Sequence, residues 1–346
     1  MCNIAGYVGE KRAAPILIEM MKKQEGFAGG YYTGIATIHE GKIYHAKLAG
    51  DTQMLEDLTE AASLPGTVGI LHSRSKSGGG VEWAHPFVDV KNEEPRIAYV
   101  ANGAKGFFEP RMEEFSRLAE TLLADGYKMS SKVDAGENRY NKLSDGSSVH
   151  MSDVMCQLIL RNIERGDSSV DAMSNAFCEM PSEIVGLMLS LDEPDGITWS
   201  RINMPMFVGY TDHGTYMAST PIAFPEDARE HQLLPPCSAG RVCKNGVFSK
   251  SYKECPATVA PITARVKHDA YDKILEALEE NKEATLKNLC DAAQECFAPA
   301  DIRPRAALVY DILKSLLDEG KIKVNNVDVD GVYDGITAPE TRISLA

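Results

Sequence analysis

The spacing of apolar residues changes along the chain, and each change marks an element. Residues 3–8, with Ile4, Ala5, Tyr7 and Val8, read as a short buried strand. Residues 13–23 take up a helical period, with Ile16, Met20 and Lys23 stepping round successive turns. Two strand-like runs at 33–38 and 42–46 flank Glu40-Gly41 and predict a hairpin. Further strand-length runs occupy 68–72 and 97–101. Pro110 suits the first turn of a helix reaching residue 123, and Ser152 is placed to cap a helix over 153–161. Residues 185–191 and 197–219 are again strand-rich. Strands interleaved with flanking helices in this way predict a layered α+β domain.

Two stretches break the pattern. Residues 126–148 are polar and rich in Gly, Ser, Asn and Asp, as a loop or insertion would be. Residues 255–265, with Pro256 and Pro261, read as a linker between a domain at 2–254 and a smaller module at 266–346. In that module, 269–280, 284–296 and 303–317 have helical spacing, and Gly320 stops the third helix. Residues 321–324 and 327–333 follow as a predicted strand pair. Three helices and a hairpin predict a winged-helix-like module.

Composition narrows the function. A length of 346 residues with 44% apolar and 25% charged is enough for about two domains. The net charge of −14 argues against a nucleic-acid partner, since phosphate binding needs a basic surface. The module carries ten Lys and Arg against sixteen Asp and Glu, which favours protein docking or dimerisation over DNA binding. No run of about 18 apolar residues exists to span a membrane, and residues 1–8 lack the basic-then-apolar order of a secretory signal. The eight cysteines include no C-x-x-C pair, and no histidine spacing supports a metal site. The expectation is eight reduced thiols in a cytoplasmic protein, with no metal and no cofactor.

Cys2 is the residue with most chemical content. Removal of Met1 would leave a thiol and a free α-amine on one residue, and an amine of pKa near ~8 can serve as base to its own thiol. The oxyanion formed by attack on an amide needs fixed donors. Asn102-Gly103, after the apolar run at 97–101, offers a side-chain amide and a backbone N–H together. Arg74 at a strand end offers a guanidinium for a substrate carboxylate. Each has an ordinary alternative: a small apolar residue near a terminus, a hairpin turn, a surface arginine.

Their order along the chain resembles that of the class II glutamine amidotransferases, in particular the glutaminase half of the glutamine–fructose-6-phosphate aminotransferases. Cys2-Asn3-Ile4-Ala5-Gly6-Tyr7-Val8-Gly9 is similar to the family's C-G-I-x-G-Y-x-G start. His72-Ser73-Arg74, then Trp83-Ala84-His85-Pro86, are similar to its H-T-R and N-A-H-P blocks, and Asn102-Gly103 to its N-G pair. Tyr31 to Ala36 and Asp192-Glu193-Pro194-Asp195 echo later segments, so the resemblance covers about residues 2–250. It implies the four-layer αββα sandwich of N-terminal nucleophile hydrolases. Cys2 would be nucleophile and base, and Asn102 and Gly103 the oxyanion hole. Arg74, Ser75, Ser77 and Asp153 would contact substrate. His72 and His85 would be structural supports.

The resemblance implies glutamine as substrate and an ammonia-accepting synthase or transferase subunit on another chain, with a homo-oligomer left open. The family's sugar-isomerase domains have no counterpart here. Asn3, Ser75, Ser77 and Gly78 replace the family's Gly, Trp, Thr and His, and Met151 falls where it has an amine-binding Asp, leaving Asp153 or Asp134 for that role. These departures motivate two alternatives: a non-catalytic regulatory or scaffold relative, and a hydrolase acting on a different amide.

Overall fold

The computed structural model describes residues 2–89, 94–103, 109–134, 142–181 and 183–346. Two antiparallel sheets dominate it. The first has seven strands in the order β11-β9-β10-β1-β4-β2-β3: β1 Asn3–Gly9, β2 Tyr32–His39, β3 Lys42–Ala49, β4 Val68–Arg74, β9 Phe207–Thr211, β10 Gly214–Ala218 and β11 His231–Leu233. The second has six in the order β13-β12-β8-β7-β6-β5: β5 Phe87–Val88, β6 Ile97–Gly103, β7 Glu183–Ser190, β8 Gly196–Arg201, β12 Ser238–Cys243 and β13 Gly246–Ser251.

Side-chain alternation sorts the layers. In β1, Ile4 and Val8 join one core with Ile70 of β4 and Ala36 of β2, while Ala5 and Tyr7 join another with Leu71 and Ile35. A period of two sends alternate residues to opposite faces. The first core fills the space between the sheets, where Leu187, Ile197 and Trp199 meet β1 and β4, and continues beneath helices α4 (Met112–Ala124), α5 (Met151–Glu164) and α6 (Ser169–Glu179). The second core lies on the outer side of the first sheet, under α1 (Ala13–Lys22). Helix, sheet, sheet, helix is the predicted four-layer order. Among the described residues no helix is long and apolar enough to cross a membrane.

Two short helices, α2 (Glu25–Ala28) and α3 (Thr52–Leu58), complete the first sheet's connections. The C-terminal module follows as α7 (Ala264–Asn281), α8 (Leu286–Ala292), α9 (Arg305–Asp318) and the hairpin β14 (Ile322–Asp330) and β15 (Thr337–Leu345). Ala284, between α7 and α8, bridges to Ile343 of β15. The module shares the outer core: Leu308, Ile312 and Leu313 of α9 cluster with Leu17 and Met21 of α1, and Phe27 meets Tyr310 edge-on at 5.4 Å.

Three expectations are corrected. The hairpin turn is not at Asn325-Asn326; β14 runs through it, and Asn326 Oδ1 accepts a bond from Thr341 Oγ1 across the strands at 2.8 Å. The turn comes later, where Gly335 takes the left-handed φ of 83°. Helix α5 is capped not by Ser152 but by His150, whose Nδ1 accepts the Ser152 N–H at 3.2 Å. Within the predicted linker, Val259 is bridged to Ile302 and the Thr258 N–H is bonded to Asp301. Cys237 and Cys255 form a disulfide, with Cα atoms 5.4 Å apart, rather than two reduced thiols; folding brings together cysteines 18 residues apart, an approach that spacing does not reveal. The other six cysteines are free. Residues 135–141 of the predicted polar loop lie outside the described residues.

Candidate active site

The register of β1 on β4 sets the site. Asn3 pairs with Ser73 and Ile4 with His72, so the start of the chain runs alongside the end of β4 at Arg74. The second sheet brings Asn102 to the same place, at the end of β6, where the pairing with β7 shifts between Asn102 and Gly103. A bulge of this kind bends the strand and re-aims its side chains. The Cys2 N–H donates to Asn102 Oδ1 at 3.1 Å, and Asn102 Nδ2 donates to the Cys2 carbonyl at 2.9 Å. Asn102 is 1% exposed, so these two bonds are shielded from water. A primary amide has two N–H groups, and the second is not needed for the clamp. The Ser75 N–H donates to Cys2 Sγ at 3.5 Å, with Ser75 Oγ at 3.8 Å from the same sulfur. Cys2, the Asn102 amide and the end of β4 are therefore one constellation.

The remaining predicted residues divide. Ser77 Oγ donates to the Ser75 carbonyl at 3.3 Å and shapes the same turn. Arg74 is 2% exposed; its guanidinium lies over the Tyr32 ring, 4.9 Å from the centroid, and donates to the Gly78 carbonyl at 2.7 Å. Tyr32 OH donates to Gly79 O at 2.6 Å, so both side chains hold the glycine turn beside Cys2. Asp153 is fully buried, with its carboxylate accepting from the Ser131 N–H at 2.8 Å and Gln157 Nε2 at 3.1 Å, so it fixes the Ser130-Ser131 turn. Asp134 is exposed.

Behind the site sits a group of buried imidazoles. His72 and His85 stack at 3.9 Å, and His150 meets His85 at 5.4 Å. Burial, reinforced by Arg74, pushes His72 down to about 3. Burial and the neighbouring cationic groups also push His85 and His150 well below the usual histidine range. Burial thus favours the neutral form of all three.

One ionisable residue near the site escaped the sequence reading. Glu25 accepts from Thr52 N–H and Oγ1 at 3.0 and 2.6 Å and from Ser73 Oγ at 3.2 Å; Ser73 Oγ lies 2.7 Å from the Gly30 N–H it accepts. Burial, partly offset by the Thr52 hydroxyl, pushes Glu25 from 4.5 up to about 7. Between those values the folded state holds a proton that the unfolded chain releases. This contribution to stability is full below 4.5 and falls as pH rises to about 7, by an amount on the order of 3 kcal/mol. In urea unfolding at a series of pH values, Glu25→Gln is expected to gain on wild type by that order between pH 4.5 and 7.5. Parallel stability curves for the two proteins would refute the assignment.

No protein-family model matches the chain. It is 27% identical over 335 residues, 95% of its length, to glutamine–fructose-6-phosphate aminotransferase (isomerizing) of Clostridium tetani, covering 47% of that protein. It is 28% identical over 247 residues, 71% of its length, to the protein of the same name from Pyrococcus horikoshii, covering 37% of it. The chain thus spans half or less of the length of these relatives. Among solved structures, the glutamine phosphoribosylpyrophosphate amidotransferase of B. subtilis, complexed with ADP and GMP, aligns with 81% of this chain and 58% of its own. The TM-score is 0.59 at 15% identity, a likeness of fold. A structure described as the allosteric regulatory enzyme of purine biosynthesis aligns over the same shares, with a TM-score of 0.58 and 16% identity.

Proposed function

We infer that residues 2–254 of this chain are a class II glutamine amidotransferase domain, and its chemistry proceeds from that premise. The observation that carries the reading is the clamp of Asn102 on Cys2, which fixes the sulfur beside an amide donor. Once Met1 is removed, the Cys2 α-amine takes the thiol proton and the thiolate attacks the carboxamide carbon of glutamine. Asn102 Nδ2 and the Gly103 N–H receive the developing oxyanion. The tetrahedral adduct collapses, the nitrogen leaves as ammonia with the proton from the amine, and a Cys2 thioester remains. Water attacks the thioester and releases glutamate. Arg74 holds the α-carboxylate from the wall it shares with Tyr32, and Ser75 and Ser77 border the substrate.

The ammonia passes to an acceptor on another chain, a synthase or transferase subunit, and the cytoplasm is its place of action. The residues from 266 to 346 form a winged-helix-like module whose acidic surface suits docking or self-association. The similarities favour neither a non-catalytic relative nor a hydrolase of a different amide. A coupled assay for ammonia and glutamate, on protein whose Met1 is confirmed absent, tests the reading. Turnover of glutamine is the expected result. Its absence with and without candidate acceptor subunits would overturn it.

A further inference from the structure

The turn that follows α2 is bonded to the end of β4. The Gly29 N–H donates to the Glu25 carbonyl at 2.6 Å, the Gly30 N–H to Ser73 Oγ at 2.7 Å and the Tyr31 N–H to the Arg74 carbonyl at 3.1 Å. The fit is close, since a Cβ on Gly29 would lie 2.6 Å from Ser73 Oγ. Gly29 and Tyr31 line the same cavity as Ser75, whose N–H faces Cys2 Sγ.

Glu25 reaches this turn through Ser73, and the network has a place for the carboxyl proton in either state. With Glu25 ionised, Ser73 Oγ donates to the carboxylate at 3.2 Å, beside the Thr52 N–H and hydroxyl. With Glu25 neutral, the carboxyl O–H donates to Ser73 Oγ, and the serine proton turns to Thr33 Oγ1, 3.2 Å away. Thr33 can accept it because its own proton goes to the Gly50 carbonyl at 2.8 Å. Hydroxyls both donate and accept, so the carboxyl and Ser73 are bonded in both states.

The two states are not equal. Ionised Glu25 is a buried charge with no cation bonded to it among the described residues, and the neighbouring Asp51 carboxylate opposes it. The other titratable groups on the elements packed round α2 are engaged elsewhere: Lys22 with Glu56, Lys23 with the Phe224 carbonyl, Arg74 with the Gly78 carbonyl, His72 with His85 and Glu340 with Arg342, while Glu19 is exposed. Ionisation therefore weakens the packing of α2 and of the turn it carries.

We propose that Glu25 is a positioning residue that works as a proton switch. Neutral, it holds the 29–31 turn, through Ser73, against the strand end that leads to Ser75; ionised, it releases that hold and slows reaction at Cys2. The effect on rate rests on the proposed glutamine chemistry, and the switch itself does not.

Hydrogen exchange of the full chain tests the switch without substrate. Protection factors of the Gly29, Gly30 and Tyr31 amides in wild type should fall by about five-fold or more as pH rises from about 5.5 to about 8.5. They should stay level in Glu25→Gln, whose amide donates to Ser73 and accepts from Thr52 as the neutral acid does. The ratio of kcat/KM for glutamine, Glu25→Gln over wild type, should rise by a like factor over the same range; groups that titrate alike in both proteins cancel in it. Wild type alone carries the exchange test if the variant does not fold. Level protection in wild type, or an equal fall in Glu25→Gln, overturns the switch. A level kcat/KM ratio beside the expected exchange result overturns its role in the reaction. Absence of turnover in both proteins counts against glutamine hydrolysis, and the exchange result still decides the switch.

Discussion

Cys2→Ala is expected to abolish glutamine hydrolysis, lowering kcat by about 10⁴-fold or more, as loss of a covalent nucleophile does elsewhere. The fold should survive the change. Cys2 precedes β1, is only partly buried, and its sulfur makes just the long contacts with Ser75. The backbone clamp to Asn102 uses the N–H and carbonyl of residue 2, which alanine retains. Thermal unfolding of the variant should therefore match wild type while ammonia release disappears. Residual turnover above about one per cent of wild type would mean that another group attacks the amide.

Asn102→Ala has the second-largest expected effect, and it acts on two levels. The oxyanion loses a fixed donor, which costs about 10²–10³ in kcat. The Cys2 N–H and carbonyl also lose their partners in a shielded place, which costs about 1–3 kcal/mol of stability per unsatisfied group. The decisive contrast is with Asn102→Asp. Aspartate still accepts from residue 2 but donates nothing, so it should recover part of the stability and none of the rate. Steady-state kcat and KM with glutamine, beside urea unfolding of both variants, read the two effects separately. Equal kcat in Asn102→Asp and wild type would remove Asn102 from the oxyanion hole.

Much of the sandwich was legible because its information is local. The alternation of Ile4 and Val8 against Ala5 and Tyr7 is a property of six consecutive residues, and it already sorts them between two cores. Cys2, Arg74 and Asn102 were legible as chemistry because each ends or begins a strand-like run, where a side chain escapes the sheet. What failed depended on distant approaches. Glu25 reads as a solvated helix residue until β4 brings Ser73 against it and α3 brings Thr52. Asp153 reads as a candidate substrate contact, and its bond to the Ser131 N–H comes from a turn 22 residues away that spacing does not reveal. Asn325-Asn326 has turn chemistry by composition, yet the pairing of Ile322 with Leu345 and Asp330 with Thr337 carries the strand straight through. The Cys237–Cys255 bond belongs to the same class, since it depends on where two loops meet.

The module's role changes accordingly. A module that merely followed the sandwich in sequence would share no core with it. Instead α9 and α1 share one core, and the tip of the β14–β15 hairpin reaches the residue next to Ser75, with Lys76 Nζ donating to the Gly331 carbonyl at 2.9 Å.

The claim that Cys2 is a free, N-terminal nucleophile for glutamine is tested most directly by labelling with a diazo-ketone analogue of glutamine, followed by intact-mass and peptide mapping. The expected result is a chain lacking Met1, modified once, with the adduct on Cys2 and protection by excess glutamine. Retained Met1, or an adduct on any cysteine other than Cys2, would contradict it.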